Sequence, residues 1–185
     1  MKTLILNGSP RKNGETSGLI TALERSLTGS VEIVRVYGAD IAPCVDCRRC
    51  RTRPGCAIDD EMTALYETIR TCDNLVLASP LYFRELTGRL LDVASRLQTF
   101  YCARMFRGED ALIRPKRGAL LLVGGSDRNT PDPAVKTGLL LLREMGCVET
   151  AEPVVFLGTD KKSALEDAEI PAKLRETAAF LCAAR

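Results

Sequence analysis

The segment Lys2-Thr3-Leu4-Ile5-Leu6-Asn7-Gly8-Ser9-Pro10-Arg11-Lys12-Asn13-Gly14-Glu15-Thr16-Ser17 carries the first decisive reading of this chain. Lys2–Asn7 is a short apolar run stopped by Gly8 and Pro10, which predicts a buried strand. Immediately beyond it, Thr16–Leu27 places Leu19, Ile20, Leu23 and Leu27 at helical spacing. A buried strand joined to a helix through a loop of glycines and hydroxyls is the opening unit of a parallel sheet covered on both faces.

The rest of the chain repeats that alternation. Val31–Tyr37 is β-branched and alternating, and predicts a second strand. Asp59-Asp60-Glu61 opens a helix to about Thr71, because acidic side chains favour the positive end of a helix dipole. Strands follow at Asn74–Ala78, Arg117–Val123 and Cys147–Leu157, and helices at Thr87–Phe106, Ala134–Met145 and Ile170–Ala184. Right-handed crossovers leave a few doubly wound orders. For a chain of 185 residues the expectation is a flavodoxin-like α/β fold, a five-stranded parallel sheet of order 2-1-3-4-5 with helices on both faces.

Ligands of such sheets bind beyond the carboxyl ends of the strands. That rule selects the loops Gly8–Glu15, Ser79–Glu85 and Gly124–Pro133, with a cysteine-rich loop at 43–58 opening at the same edge. The first loop lacks the glycine spacing of a dinucleotide site and the Gly-Lys-Thr ending of a triphosphate loop. It offers the hydroxyls of Ser9, Thr16 and Ser17, the amide of Asn13 and the guanidinium of Arg11 at a helix N-terminus, a combination suited to a terminal phosphate. An ordinary capped turn is the alternative. Pro80, Leu81, Tyr82 and Phe83 offer apolar area to a flat heterocycle, or else pack in the core. Gly124, Gly125 and Ser126 allow backbone amides to approach a ligand edge, or else form a plain turn.

Cys44, Cys47, Cys50 and Cys56 lie within one short loop, and three of them follow at successive x2 spacings. Such a group suits an iron–sulfur cluster wrapped by a single loop. Zinc more often uses two separated knuckles or a distant His pair, and this chain has no histidine. Zinc and buried structural thiols remain the alternatives. Cys72, Cys102, Cys147 and Cys182 lie among apolar residues and read as small buried hydrophobes.

Composition mainly excludes. Lys and Arg number 26 against 24 Asp and Glu, mixed along the chain, so no basic tract points to nucleic acid and no polybasic helix to a membrane surface. No stretch reaches the roughly 18–20 apolar residues of a membrane helix, and no signal peptide is visible. The expectation is a cytoplasmic chain folded as one domain over residues 1–185, its thiols reduced and available for metal or redox chemistry.

Taken together, Gly8 to Gly14, Pro43-Cys44 through Cys56, Asp59-Asp60-Glu61-Met62 and Ser79-Pro80-Leu81-Tyr82 resemble the iron–sulfur flavoproteins, within the wider group of NAD(P)H-dependent FMN and quinone reductases. The resemblance runs from Lys2 to about Gly146. It implies FMN with its phosphate at Ser9, Arg11, Asn13, Thr16 and Ser17 and its ring between Pro80–Phe83 and Gly124–Ser126. It implies a four-iron four-sulfur cluster on Cys44, Cys47, Cys50 and Cys56, and a homodimer or homotetramer in which the cluster of one subunit serves FMN near an interface.

The activity expected is electron transfer from a one-electron donor such as ferredoxin, through the cluster, to FMN and on to an acceptor. One rival is an NAD(P)H-dependent FMN or quinone reductase whose cysteines are accessory or empty. Another is a zinc-stabilised binding module without enzymatic activity.

Overall fold

Alternating apolar side chains in the central strands build two cores, one on each face of the sheet. The computed structural model describes residues 1–109, 113–128 and 130–184. β1 (Lys2–Asn7) lies between β2 (Ser30–Arg35) and β3 (Asn74–Pro80), and β4 (Lys116–Gly124) flanks β3. β5 (Cys147–Thr150) and β6 (Val154–Leu157) both pair with β4, and all the pairings are parallel. The order 2-1-3-4-5 is therefore the one expected. The helices are α1 (Glu15–Glu24), α2 (Arg49–Thr52), α3 (Met62–Thr71), α4 (Gly88–Ser95), α5 (Gln98–Arg107), α6 (Asp132–Glu144) and α7 (Ile170–Cys182).

Leu4 and Leu6 point to one face, with Leu75, Leu77, Leu120 and Leu122, under α3, α4, α5 and α6. Ile5 points to the other, with Val76, Ala78, Leu121 and Val123, under α1 and α7. The period of two in each strand thus reads directly as two hydrophobic layers. Among the described residues no helix is long and apolar enough to cross a membrane.

Two elements differ from the sequence expectation. The fifth strand is divided, because the chain steps out at Ala151-Glu152-Pro153 and proline has no N–H for a ladder. Both halves still lie on β4, so the order of the sheet is unchanged. The helix expected over Thr87–Phe106 is broken at Arg96-Leu97 into α4 and α5. There the N–H of Arg96 donates to Val93 O (3.1 Å) and that of Leu97 to Ala94 O (2.9 Å), a tightened i→i+3 pattern. The Arg96 carbonyl accepts the Tyr66 hydroxyl at 2.8 Å and the Thr99 N–H at 3.2 Å.

Candidate functional site

The Gly8–Ser17 loop is shaped by its own side chains. Asn7 Oδ1 accepts the Ser9 N–H at 2.9 Å, and Ser9 Oγ accepts the Arg11 N–H at 3.2 Å. Ser17 Oγ donates to Arg11 O at 3.3 Å and accepts Asn7 Nδ2 at 3.4 Å. Gly8 lies against β3, where an added Cβ would sit 3.2 Å from Ala78 O, so this crossing accepts no larger residue without displacement. Helix α1 begins after Gly14 with no side-chain cap, and Glu15 turns away to accept Ser163 Oγ and the Ala164 N–H. No side chain caps this turn, and the helix start at Gly14, Glu15 and Thr16 opens onto the hollow beside it.

That hollow, about 170 Å³, is lined by Ser9, Arg11 and Thr16 on one side and by Pro80, Leu81, Tyr82 and Gly125 on the other. Seven of the twelve residues expected around the cofactor thus meet at one cavity. Asn13 and Ser17 instead line a neighbouring cleft of about 510 Å³ with Lys12 and Arg25. Gly124 and Ser126 flank Gly125 without lining the cavity. Thr159 and Asp160, which sequence reasoning missed, complete the wall; the Asp160 N–H donates to Gly125 O at 3.2 Å. They follow β6 at its carboxyl end, so the sheet rule that selected the other loops also marks them. In the Gly124–Pro133 loop, residue 129 lies outside the described residues.

Phe83 is not brought to the cavity. Tyr82 and Glu85 pair as a two-residue hairpin whose central residues, Phe83 and Arg84, have φ of 53° and 69°. Non-glycine residues are uncommon in that left-handed conformation, which the surroundings must hold in place. Here the Ala134 N–H donates to Arg84 O, Arg84 bonds to Thr130, and Thr137 Oγ1 donates to Glu85. The Phe83 ring is left fully exposed, which also sets aside its packing in the core.

The second cavity, about 30 Å³, is lined by Cys44, Cys47, Cys50 and Cys56 with Arg48, Arg51, Arg96, Thr99 and Cys102. Its residues are none of those lining the first. Asp46 and Arg48, between the cysteines, have φ of 47° and 62°, further backbone that only its surroundings hold. The base of the loop is zipped by Asp40 N–H to Glu61 (2.7 Å) and Ala42 N–H to Asp60 (3.0 Å). Its first cysteine is fixed by Cys44 N–H to Ser95 Oγ at 2.9 Å. Among the described residues no group of three or more Cys, Asp or Glu side chains converges closely enough to hold a metal ion.

Arg96 organises this region. Its guanidinium forks onto Asp60 at 2.7 and 3.1 Å and donates to the carbonyls of Ala42 (2.7 Å) and Ile58 (3.2 Å), the two feet of the cysteine loop. The pair is buried, with side-chain exposures of 0% for Arg96 and 7% for Asp60. Burial disfavours the Asp60 charge, but hydrogen bonds from Arg96, Ala42 and Met62 outweigh it and hold the carboxyl below its usual range. Burial likewise opposes the Arg96 charge, and the Asp60 bond overcomes it. Cys50 is pushed up to about 11 by burial and by its hydrogen bond with Cys102. Cys102 is buried as expected, yet it is a fifth thiol on the cavity, which its apolar context concealed.

An open parallel sheet of order 2-1-3-4-5 with a hydroxyl-rich loop after its first strand defines a flavodoxin-like protein. Residues 1–162 match the family of NADPH-dependent FMN reductases, and the chain belongs to that family. It is an FMN-dependent oxidoreductase. It is 29% identical over 185 residues to an iron–sulfur flavoprotein of Methanosarcina thermophila, covering 98% of this chain and 94% of that one. With an iron–sulfur flavoprotein of Methanocaldococcus jannaschii it shares 22% identity over 163 residues, 85% of this chain and 81% of that one. An NAD(P)H:quinone oxidoreductase from Methanothermobacter marburgensis has the same fold, with a TM-score of 0.74 and 16% identity over 100% of this chain and 98% of that one.

Proposed function

We propose that the protein is an iron–sulfur flavoprotein that moves electrons from a one-electron donor such as ferredoxin, through a four-iron four-sulfur cluster, to FMN and on to an acceptor. The observation that carries this reading is the gathering of Cys44, Cys47, Cys50 and Cys56 on one cavity beside a buried cation. The donor set fits: four thiols and no histidine, with the positive Arg48, Arg51 and Arg96 around a centre whose ligands are thiolates. The names of the two relatives above agree with it. When bound, the cluster supplies single-electron steps and FMN two-electron storage.

The chain's own residues supply position and charge. The start of α1, the hydroxyls of Ser9 and Thr16 and the Arg11 guanidinium would hold the FMN phosphate, and Pro80, Leu81, Tyr82 and Gly125 the ring side. Asn13, Ser17, Gly124 and Ser126 would act from just behind that shell. Arg48, Arg49, Arg51 and Arg53 are exposed around the cysteines and favour an acidic donor protein. Because the two cavities share no residue, a homodimer or homotetramer that brings the cysteines of one copy to the FMN of another suits this reading; light scattering tests it. This reading places the chain in the cytoplasm, where thiols stay reduced.

The failure of the cysteines to converge favours one second reading, an NAD(P)H-dependent FMN or quinone reductase with an accessory or empty cysteine site. Anaerobic stopped-flow absorbance separates the two. Under the leading reading, reduced ferredoxin reduces the flavin much faster than NADH or NADPH, and Cys47→Ala slows only the ferredoxin route. Fast NADPH reduction unchanged by Cys47→Ala would establish the second. Colourless protein holding stoichiometric zinc would exclude both.

A further inference from the structure

We propose that Arg96 is a positioning and tuning residue of the cysteine site, its Nε–H donating to a sulfur held there. The inference rests on the cluster reading and goes beyond it by assigning a donor from outside the ligand loop.

A guanidinium carries five N–H donors in a rigid fork and accepts nothing. The two terminal nitrogens of Arg96 have four acceptors: Ala42 O and Asp60 Oδ2 for Nη1, Ile58 O and Asp60 Oδ1 for Nη2. The fifth donor, Nε, is the one buried side-chain nitrogen or oxygen among the described residues that has no hydrogen-bond partner. Buried polar groups are almost always paired, and an orphaned donor on a fully buried cation is costly. This one belongs to a side chain that lines the cysteine cavity.

The same side chain ties the feet of the loop at residues 42 and 58, just outside the first and last cysteines. It therefore sets the span of the ligand loop, and its last donor is left for whatever the cavity it lines holds. A neutral thiol is a poor acceptor, whereas a thiolate or sulfide of a charged centre makes a charge-assisted bond. Hydrogen bonds to sulfur stabilise the more negative, reduced state and raise the reduction potential. Lysine at this position keeps the charge but not the fork, and cannot serve the carboxylate, two carbonyls and the cavity together.

The test uses anaerobically prepared holoprotein grown on arginine labelled with nitrogen-15 in the guanidino group only. Pulsed EPR of the reduced protein should show a nitrogen-15 coupling to the cluster spin. Arg96→Lys should lose that coupling and titrate at a lower potential at equal iron and sulfide content. If Arg96→Lys holds no iron, the double variant Arg48→Lys/Arg51→Lys decides, because it leaves Arg96 as the only labelled arginine among the described residues lining the cavity. A coupling that survives there supports the assignment, and one that disappears overturns it. Wild-type protein with full iron and sulfide but no coupling also overturns it, as does a coupling that persists in Arg96→Lys. Wild-type protein that takes up no iron or sulfide would remove the cluster reading, and this assignment with it.

Discussion

Around Ser9 and Thr16 the side-chain bonds within the loop join residues no more than ten apart, from Asn7 to Ser17, while Thr87 Oγ1 donating to Gly8 O and Glu15 accepting from Ser163 and Ala164 tie it to the rest of the fold. Around Cys44–Cys56 the base is closed by the nearer pairs Asp40–Glu61 and Ala42–Asp60, and the bonds to Arg96, Ser95 and Arg107 run across separations of 36 to 57. The Gly8–Ser17 loop takes its shape mainly from its own side chains. The cysteine loop has little regular structure of its own and is held from outside by the α4–α5 junction. Local turns survive single substitutions, whereas a loop pinned through one buried ion pair depends on that pair.

The largest effect expected follows directly. Asp60→Ala leaves Arg96 buried and uncompensated, and should cost about 3–5 kcal/mol in urea unfolding. Arg11→Ala removes an exposed side chain and should change stability by less than about 0.5 kcal/mol. An Asp60→Ala cost below about 1 kcal/mol would break the contrast.

This difference in range explains what could be read before the structure was known. The β1 strand, its turn and α1 all lie within one window of sequence, and so the opening of the sheet and most of the residues lining the cavity beside it were legible. Asp60 read as one of three acidic residues opening a helix, and its further task of pairing with Arg96, 36 residues away, left no local trace. Arg96 sat unmarked inside an expected helix, and the break beside it was missed as well. Cys102 read as a core thiol because its neighbours in sequence are apolar, while its neighbours in space are cysteines. Phe83 failed differently: its residue type suits a ring contact, but a hairpin with two positive φ values turns it outward.

Acid should separate the two regions next. The folded Asp60 carboxyl titrates below its ordinary range, so the stability it contributes is complete above the unfolded carboxylate pKa and is lost as pH falls through the folded one. Hydrogen exchange between pH 5 and roughly pH 3, the range in which ordinary carboxylates begin to protonate, should show the amides of Ala42, Cys44 and Met62 losing protection before that of Ser9. Simultaneous loss would mean that the clamp is not the weak point. The effect should be smaller than that of Asp60→Ala, because a protonated carboxyl still accepts one hydrogen bond from Arg96.

The proposed FMN phosphate site has its own test. Arg11→Ala should weaken FMN binding by about 1.5–3 kcal/mol if the guanidinium holds the phosphate. Riboflavin, which has no phosphate, should bind wild type and variant alike in a fluorescence titration. Equal losses for the two flavins would mean that Arg11 only shapes the loop.

The smallest effect is the most discriminating within that loop. Thr16 is 2% exposed and lines the cavity, whereas the Ser17 hydroxyl is occupied by Arg11 O and Asn7 and faces the neighbouring cleft. Facing that cleft and partnered within the loop, the Ser17 hydroxyl contributes by holding the loop's shape. Ser17→Ala should therefore weaken FMN by no more than about 1 kcal/mol, the net worth of one neutral hydrogen bond, and weaken riboflavin equally. Thr16→Val keeps the shape of the side chain and removes only the hydroxyl, so its loss should fall on FMN alone. A Ser17→Ala loss confined to FMN would place Ser17 against the phosphate and show that the two clefts join when the cofactor is bound.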